Sequence, residues 1–294
     1  MELIDAGGFR SPNALGPGRE LGRVSLVVLA LIASAACGGG RNGSTGVTTE
    51  PPPSPPVKQA KWALVWSDEF DGTTIDPTTW IVQDGASSVN GELEYYTPSD
   101  AYLEGGSLVL ESEQRAIGAR RYTSGEVRTG NLRTVNWGSA VEWRTQPPSG
   151  KGIWPANWLV GPQCDGLNGC GAYWPPEIDV LEMKGSAPSI NFMSHWWSTW
   201  PTEQHETSQY NAITSLADAY HTYRVEWFPD SVVWYIDGVQ RAKHTQNVTA
   251  GAMQIVMNTA VGGLFDGHPD QTTVFPQYHR IDYVRVYRDT ANVY

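Results

Sequence analysis

The stretch Trp174-Pro-Pro-Glu177-Ile-Asp179-Val-Leu-Glu182-Met-Lys-Gly185 sets three carboxylates among Ile178, Val180 and Leu181. As a strand, its period of two puts Glu177 and Asp179 on one face and Ile178 and Val180 on the other, acid towards a cleft and aliphatic towards a core. Strict alternation would then turn Glu182 into that core, and burying an unpaired carboxylate is costly. One extra residue, a β-bulge around Val180-Leu181, returns Glu182 to the acidic face. A helix does no better, because at about 100° per residue the five-residue step leaves the two glutamates roughly 140° apart. The stretch reads as a bulged strand.

That spacing suits a particular chemistry. With one residue absorbed by the bulge, the two glutamate Cα atoms lie about 13 Å apart at ~3.3 Å per residue. Side chains leaning together would bring the carboxyls to about 5 Å, the separation of a retaining glycosidase. In isolation the same string also suits a solvated charged strip, so the flanking sequence has to decide.

The composition points the same way. Gly 31 and Pro 20 in 294 residues supply many turns, and Trp 13 and Tyr 13 supply aromatic surface, which fits a β-sandwich with a sugar-binding cleft better than a helical bundle. Net charge is −11, with no basic stripe and no glycine-rich phosphate loop, which argues against nucleic acid or nucleotides as partners.

Arg10, Arg19 and Arg23 precede the apolar run 24–36, which is too short for an ordinary membrane span and ends in small residues. Residues 1–36 therefore read as a secretory signal. Cys37 follows Ala35-Ala36 as in a bacterial lipobox, with Ser34 where that motif usually has an aliphatic residue, so the expected product is an exported, lipid-anchored or secreted protein. Residues 37–60 are rich in Gly, Ser, Thr and Pro and cannot bury a core, so they read as a disordered tether. In an exported protein Cys164 and Cys170 read most economically as a disulfide closing a small loop.

All 13 tryptophans lie within 61–294, read as one catalytic domain and as a monomer. Strand-like runs fall at 80–82, 107–111, 140–144, 189–195, 220–227, 232–236, 239–242, 254–258 and 281–287, with Asp237-Gly238 as a hairpin turn and a short helix at 213–218. Many short strands joined by turns predict an all-β, two-sheet sandwich.

Several segments in order resemble glycoside hydrolase family 16, in its laminarinase-like branch. They are Val65-Trp-Ser-Asp-Glu69-Phe-Asp-Gly72, Asn90-Gly-Glu-Leu-Glu-Tyr-Tyr96, Tyr122-Thr-Ser-Gly125, Gly152-Ile-Trp-Pro-Ala-Asn-Trp158, the bulged Glu177–Glu182 strand, residues 220–227, Asn258-Thr-Ala-Val-Gly-Gly263 and residues 281–287. The resemblance implies a β-jelly roll with an open concave cleft, and a double displacement in which Glu177 is nucleophile, Glu182 acid/base and Asp179 the residue that tunes Glu177. It also implies that His195 lines the cleft and that a structural calcium ion is held by the carbonyls of Glu69 and Gly106 and the side chain of Asp282. Oxygen-only ligation suits that ion, with an arginine pairing of these carboxylates as the other reading.

Trp154, Trp158 and Trp174 are candidates for stacking on sugar rings, Trp158 being the one expected to be buried. Asn90 and Asn258 are placed to bind sugar hydroxyls or to secure turns. Two departures bear on specificity: Glu126 stands where many laminarinases have arginine, and Pro176 where many have glycine. The expected activity is hydrolysis of internal β-1,3 bonds of a β-glucan. The alternatives are mixed-linkage β-1,3-1,4-glucan, another bacterial or algal polysaccharide, and a non-catalytic lectin-like module.

Overall fold

The computed structural model describes residues 59–165, 167, 170, 174–198 and 204–294. The signal segment, Cys37 and the tether up to residue 58 lie outside the described residues.

Two antiparallel sheets face each other. The cleft sheet runs in the order β13 (Gln204–Asn211), β12 (Ile190–Ser198), β11 (Glu177–Glu182), β10 (Ile153–Val160), β17 (Gln254–Val261), β8 (Glu126–Arg128) and β2 (Ile81–Val82). The back sheet runs β16 (Val239–His244), β15 (Val232–Ile236), β14 (His221–Trp227), β9 (Ser139–Gln146), β18 (Gln277–Asp289), β6 (Ser107–Ser112) and β5 (Ala101–Glu104). At 13 residues, β18 takes two partners on one edge, β6 at its first half and β1 (Trp62–Asp68) at its second, while β9 fills the other edge. A small third sheet joins β3 (Gly85–Ala86), β4 (Glu94–Tyr96) and β7 (Tyr122–Ser124), and β4 and β7 run parallel.

Alternation builds the core. Trp143, Tyr223, Trp227 and Trp234 of the back sheet meet Leu159, Ile178, Leu181, Met193 and Met257 of the cleft sheet. Burying each such side chain contributes on the order of 1.5–3 kcal/mol, so this inter-sheet layer is the main stabilising element. The β15–β16 hairpin turns at Asp237 and Gly238, with φ of 52° and 73°, the paired positive values of a type I′ turn, as their sequence predicts. The short helix expected at 213–218 is not formed: the chain there makes bends and turns, and Leu216 alone of that segment is buried as a plug against the core.

Candidate active site

The carboxylates stand on β11, and their placement depends on its pairing with β10. Asn157 pairs with Leu181 and Trp158 with Asp179, so Val180 has no partner and the strand bulges there. Ile178, Val180 and Leu181 all enter the core, while Glu177, Asp179 and Glu182 all line one open cleft of about 630 Å³. That volume is in the range of sites that hold several rings of a ligand.

Each acid accepts one indole N–H. Trp174 Nε1 donates to Glu177 Oε2 at 3.0 Å, Trp196 Nε1 to Asp179 Oδ2 at 3.2 Å and Trp154 Nε1 to Glu182 Oε1 at 3.2 Å. Trp234, from the back sheet, donates to the carbonyl oxygen of Asp179 at 2.8 Å and ties the bulged strand to the layer beneath. Burial pushes all three carboxyls up. Asp179 rises to about 7, opposed by the Trp196 N–H. Glu177 rises well above the ordinary range through burial and then the charges of Asp179 and Glu182, and Glu182 does so through burial and then the charge of Asp179. Three acids so placed hold fewer than three charges near neutral pH. The arrangement suits one ionised group beside one that keeps a proton to give.

Trp154, Trp158, Trp174, Asn90 and Asn258 all border the same cleft. Trp158, expected to be buried, is partly buried, packed against Val160, Cys164 and Val256 while still bordering the cleft. Its N–H goes to Asn258 Oδ1 at 3.0 Å, and Asn258 Nδ2 donates to the Tyr96 hydroxyl at 3.0 Å, so the amide of Asn258 is occupied within the protein. Asn90 sits in a turn with φ 52° and donates to Glu92. Trp154 is covered on one side by Phe265, with centroids 4.9 Å apart, and Trp174 by Trp196 at 5.4 Å.

His195 does not reach the cleft. Phe192, Ser194 and Trp196 of β12 face the cleft, so the period of two turns His195 away, and it is 2% exposed. Its Nδ1 lies 3.0 Å from His244 Nδ1 and its Nε2 2.8 Å from the carbonyl of Gln246, while His244 Nε2 lies 2.9 Å from Ser208 Oγ. This chain of hydrogen bonds joins β12 and β13 to β16.

At the calcium positions, the Glu69 carboxylate is held by Arg285 at 3.0 and 2.8 Å, leaving its carbonyl as the donor, and Asp282 Oδ2 accepts from Arg144 at 2.7 Å. Gly106, with φ 75°, lies in the β5–β6 turn beside the Asp71 carboxylate. Cys164 and Cys170 form the expected disulfide.

Cleft residues that spacing did not single out as sugar contacts include Glu92, Glu126, Phe192, Trp196, His205 and Phe265. The position after Ser124-Gly125 was the one available signal, since Glu126 departs there from the laminarinase pattern.

Residues 96–285 match the model of "Glycosyl hydrolases family 16", well over half of the chain. The chain belongs to that family. A family relative, "Glucan endo-1,3-beta-glucosidase A1" of Niallia circulans, is 31% identical over 261 residues, covering 77% of this chain and 38% of its own length. "Beta-glucanase" of Rhodothermus marinus is 31% identical over 79% of this chain and 87% of its own length. Among solved structures, the catalytic domain of an endo-1,3-beta-glucanase (laminarinase) from Thermotoga petrophila RKU-1 superposes with a TM-score of 0.71 at 33% identity, covering 79% of this chain and all of that one. The chain spans well under half the length of the Niallia relative.

Proposed function

We propose that this chain is a retaining, endo-acting β-glucanase that cleaves internal β-1,3 bonds. One observation carries the proposal: the unpaired Val180 puts Glu177 and Glu182 into the floor of the same open cleft. Glu177 attacks the anomeric carbon, and the bond to the leaving sugar breaks as Glu182 gives its proton to the departing oxygen. Water then attacks the same carbon, giving its proton to Glu182 and displacing Glu177. Asp179 orients and tunes Glu177, and burial helps Glu182 hold the proton it gives. The names of the Niallia and Thermotoga relatives support internal cleavage and the β-1,3 linkage.

The test is release of reducing ends from laminarin, barley β-glucan, agarose and carrageenan, with the anomer of the first product read by NMR. Laminarin should be cut fastest and give the β-anomer first. Faster cutting of barley glucan would move the assignment to mixed linkages. Binding without cutting would overturn it in favour of a lectin-like module.

A structural calcium ion is a separate proposal. The carbonyls of Glu69 and Gly106 with the carboxylate of Asp282 form an oxygen-only set that suits this ion, with water completing the shell. Export with a lipid on Cys37 is a third, supported by the small residues before it, and mass spectrometry of the mature N-terminus tests it.

A further inference from the structure

Cross-strand register lines up four side chains across the cleft floor. Glu126 on β8 pairs with Asn258 on β17, Asn258 with Ala156 on β10, and Ala156 with Glu182 on β11. Strands lie about 4.8 Å apart, so Glu126 stands three spacings, about 14 Å, from Glu182 backbone to backbone. Ala156 leaves the middle of the row low. A glycan lying across the strands at the scissile bond would reach Glu126 a few sugars away.

Glu126 is 3% exposed, and that surface opens onto the cleft. Among the described residues its carboxyl has no hydrogen-bonding partner. The Asn258 amide is occupied by Trp158 and Tyr96. Arg128, two residues on along β8, gives its guanidinium to Gln83 and the carbonyl of Cys164. Glu92, whose charge also acts on Glu126, is taken by Ser87 and Asn90. Burial pushes the pKa of Glu126 up to about 8, with Arg128 opposing and Glu92 and Asp165 adding to the rise, so near neutral pH it both donates and accepts. Just before it, a Cβ on Gly125 would stand 2.4 Å from the carbonyl oxygen of Asp100, so only glycine lets the chain pass from β7 into β8 there. Among the described residues no donor meets this carboxyl, which opens onto the cleft, and a ligand hydroxyl there can.

Charge narrows the ligand. Glu92, Glu126, Glu177, Asp179 and Glu182 line the cleft, and among the described residues no lysine or arginine does. The sequence at 166, 168–169, 171–173 and 199–203 contains neither. Lys184 stands at the rim, its Nζ over the rings of Phe192 and Phe265 at 5.6 and 4.8 Å. A sulfate or uronate seated among these five acids would lose water and find no counter-ion among the described lining residues.

We propose that Glu126 is a specificity-determining, sugar-binding residue, which holds hydroxyls of a glycan unit remote from the scissile bond, in a cleft whose lining of acids without a cation confines it to uncharged glycans. The proposal rests on the glycan-hydrolase reading above, and not on the β-1,3 linkage.

The test compares the full-length chain with Glu126→Ala and Glu126→Gln on laminarin and on sulfated laminarin. Wild type should prefer laminarin in kcat/KM by about a hundredfold or more, the scale of an unpaired desolvated charge. Glu126→Ala should raise KM for laminarin about tenfold, as expected for one or two lost hydrogen bonds, with kcat nearly unchanged. Glu126→Gln keeps a donor and an acceptor and should restore most of KM. Melting temperatures at pH 5.5 show that all three are folded. An unchanged KM in Glu126→Ala, or equal rates on the sulfated glycan, overturns the proposal. Should laminarin not be cut at all, the β-1,3 reading fails, and retardation of the inactive Glu177→Gln chain in native gels decides. Retardation by neutral barley glucan or agarose, lost on adding Glu126→Ala, sustains the proposal; retardation by carrageenan overturns it.

Discussion

The indole of Trp174 donates to the Glu177 carboxylate at 3.0 Å, from three residues upstream on the segment that leads into β11. This bond lowers the pKa of Glu177 against the rise caused by burial and by its acidic neighbours. Trp174→Phe keeps the ring and removes the donor. Glu177 then ionises at higher pH, so the acid limb of the kcat/KM profile should move to higher pH and kcat should fall about tenfold, the worth of one charge-assisted bond. A profile that superposes on wild type would show that the bond only packs the ring.

The unpaired Val180 makes a second prediction. Deleting Val180 removes the bulge and leaves Glu177-Ile178-Asp179-Leu181-Glu182, in which strict alternation itself keeps the three acids on the cleft face and Ile178 and Leu181 in the core. The variant should fold and keep part of its activity, with a lower melting temperature because one buried core side chain is lost. Glu177→Gln and Glu182→Gln, which leave the strand intact, should instead cut kcat about a thousandfold or more while laminarin still retards the protein in native gels. Near-normal turnover in either would remove it from the mechanism.

Much of this was readable from the sequence because local chemistry forced it. A charged Glu182 on an otherwise alternating strand requires a bulge, and Asp237-Gly238 requires a tight turn. Other features depend on partners that the local sequence does not name. Gln204–Asn211 is a strand of polar residues at the sheet edge, stabilised by pairing with β12 and not by an apolar face, so periodicity passed over it. His195 was aimed into the cleft by resemblance, and its true side follows from Ser194 and Trp196 facing the acids. Composition suggested tryptophans as sugar platforms; it gave no sign that Trp154, Trp174 and Trp196 each aim an N–H at a carboxylate, because spacing does not encode which edge of a ring faces a neighbour.

For His195 this location predicts a stability effect without a substrate effect. His195→Ala breaks the chain through His244 to Ser208 and leaves buried donors or acceptors unpaired, at about 1–3 kcal/mol. Thermal unfolding should begin several degrees lower, and KM for laminarin should stay at the wild-type value. A large rise in KM with an unchanged melting temperature would return His195 to the cleft.

Calcium at Glu69, Gly106 and Asp282 would bridge the end of β1, the β5–β6 turn and β18, three segments distant in sequence. Dialysis against EGTA should therefore lower the melting temperature, calcium should restore it where magnesium does not, and Asp282→Asn should abolish the response. In the structure Asp282 pairs with Arg144 at 2.7 Å. An unchanged melting curve would leave that arginine as the carboxylate's whole role.

Glu126 supplies a pH test independent of substrate. Its carboxyl is held up to about 8 in the folded protein, against the ordinary value of 4.5. Between these values the folded state keeps a proton that the unfolded state has released, so the unfolded state binds fewer protons and stability falls as pH rises. Below about 4.5 both states are protonated, and the loss is complete only above the folded value. Glu126→Gln removes this dependence. Its melting temperature should match wild type near pH 5 and exceed it by a margin that widens up to about pH 8.5. Subtracting wild type cancels the other buried acids, such as Asp179, which weaken the fold in the same direction. A constant difference across that range would mean that Glu126 ionises as an exposed carboxylate does, and that its seat in the cleft floor is open to water.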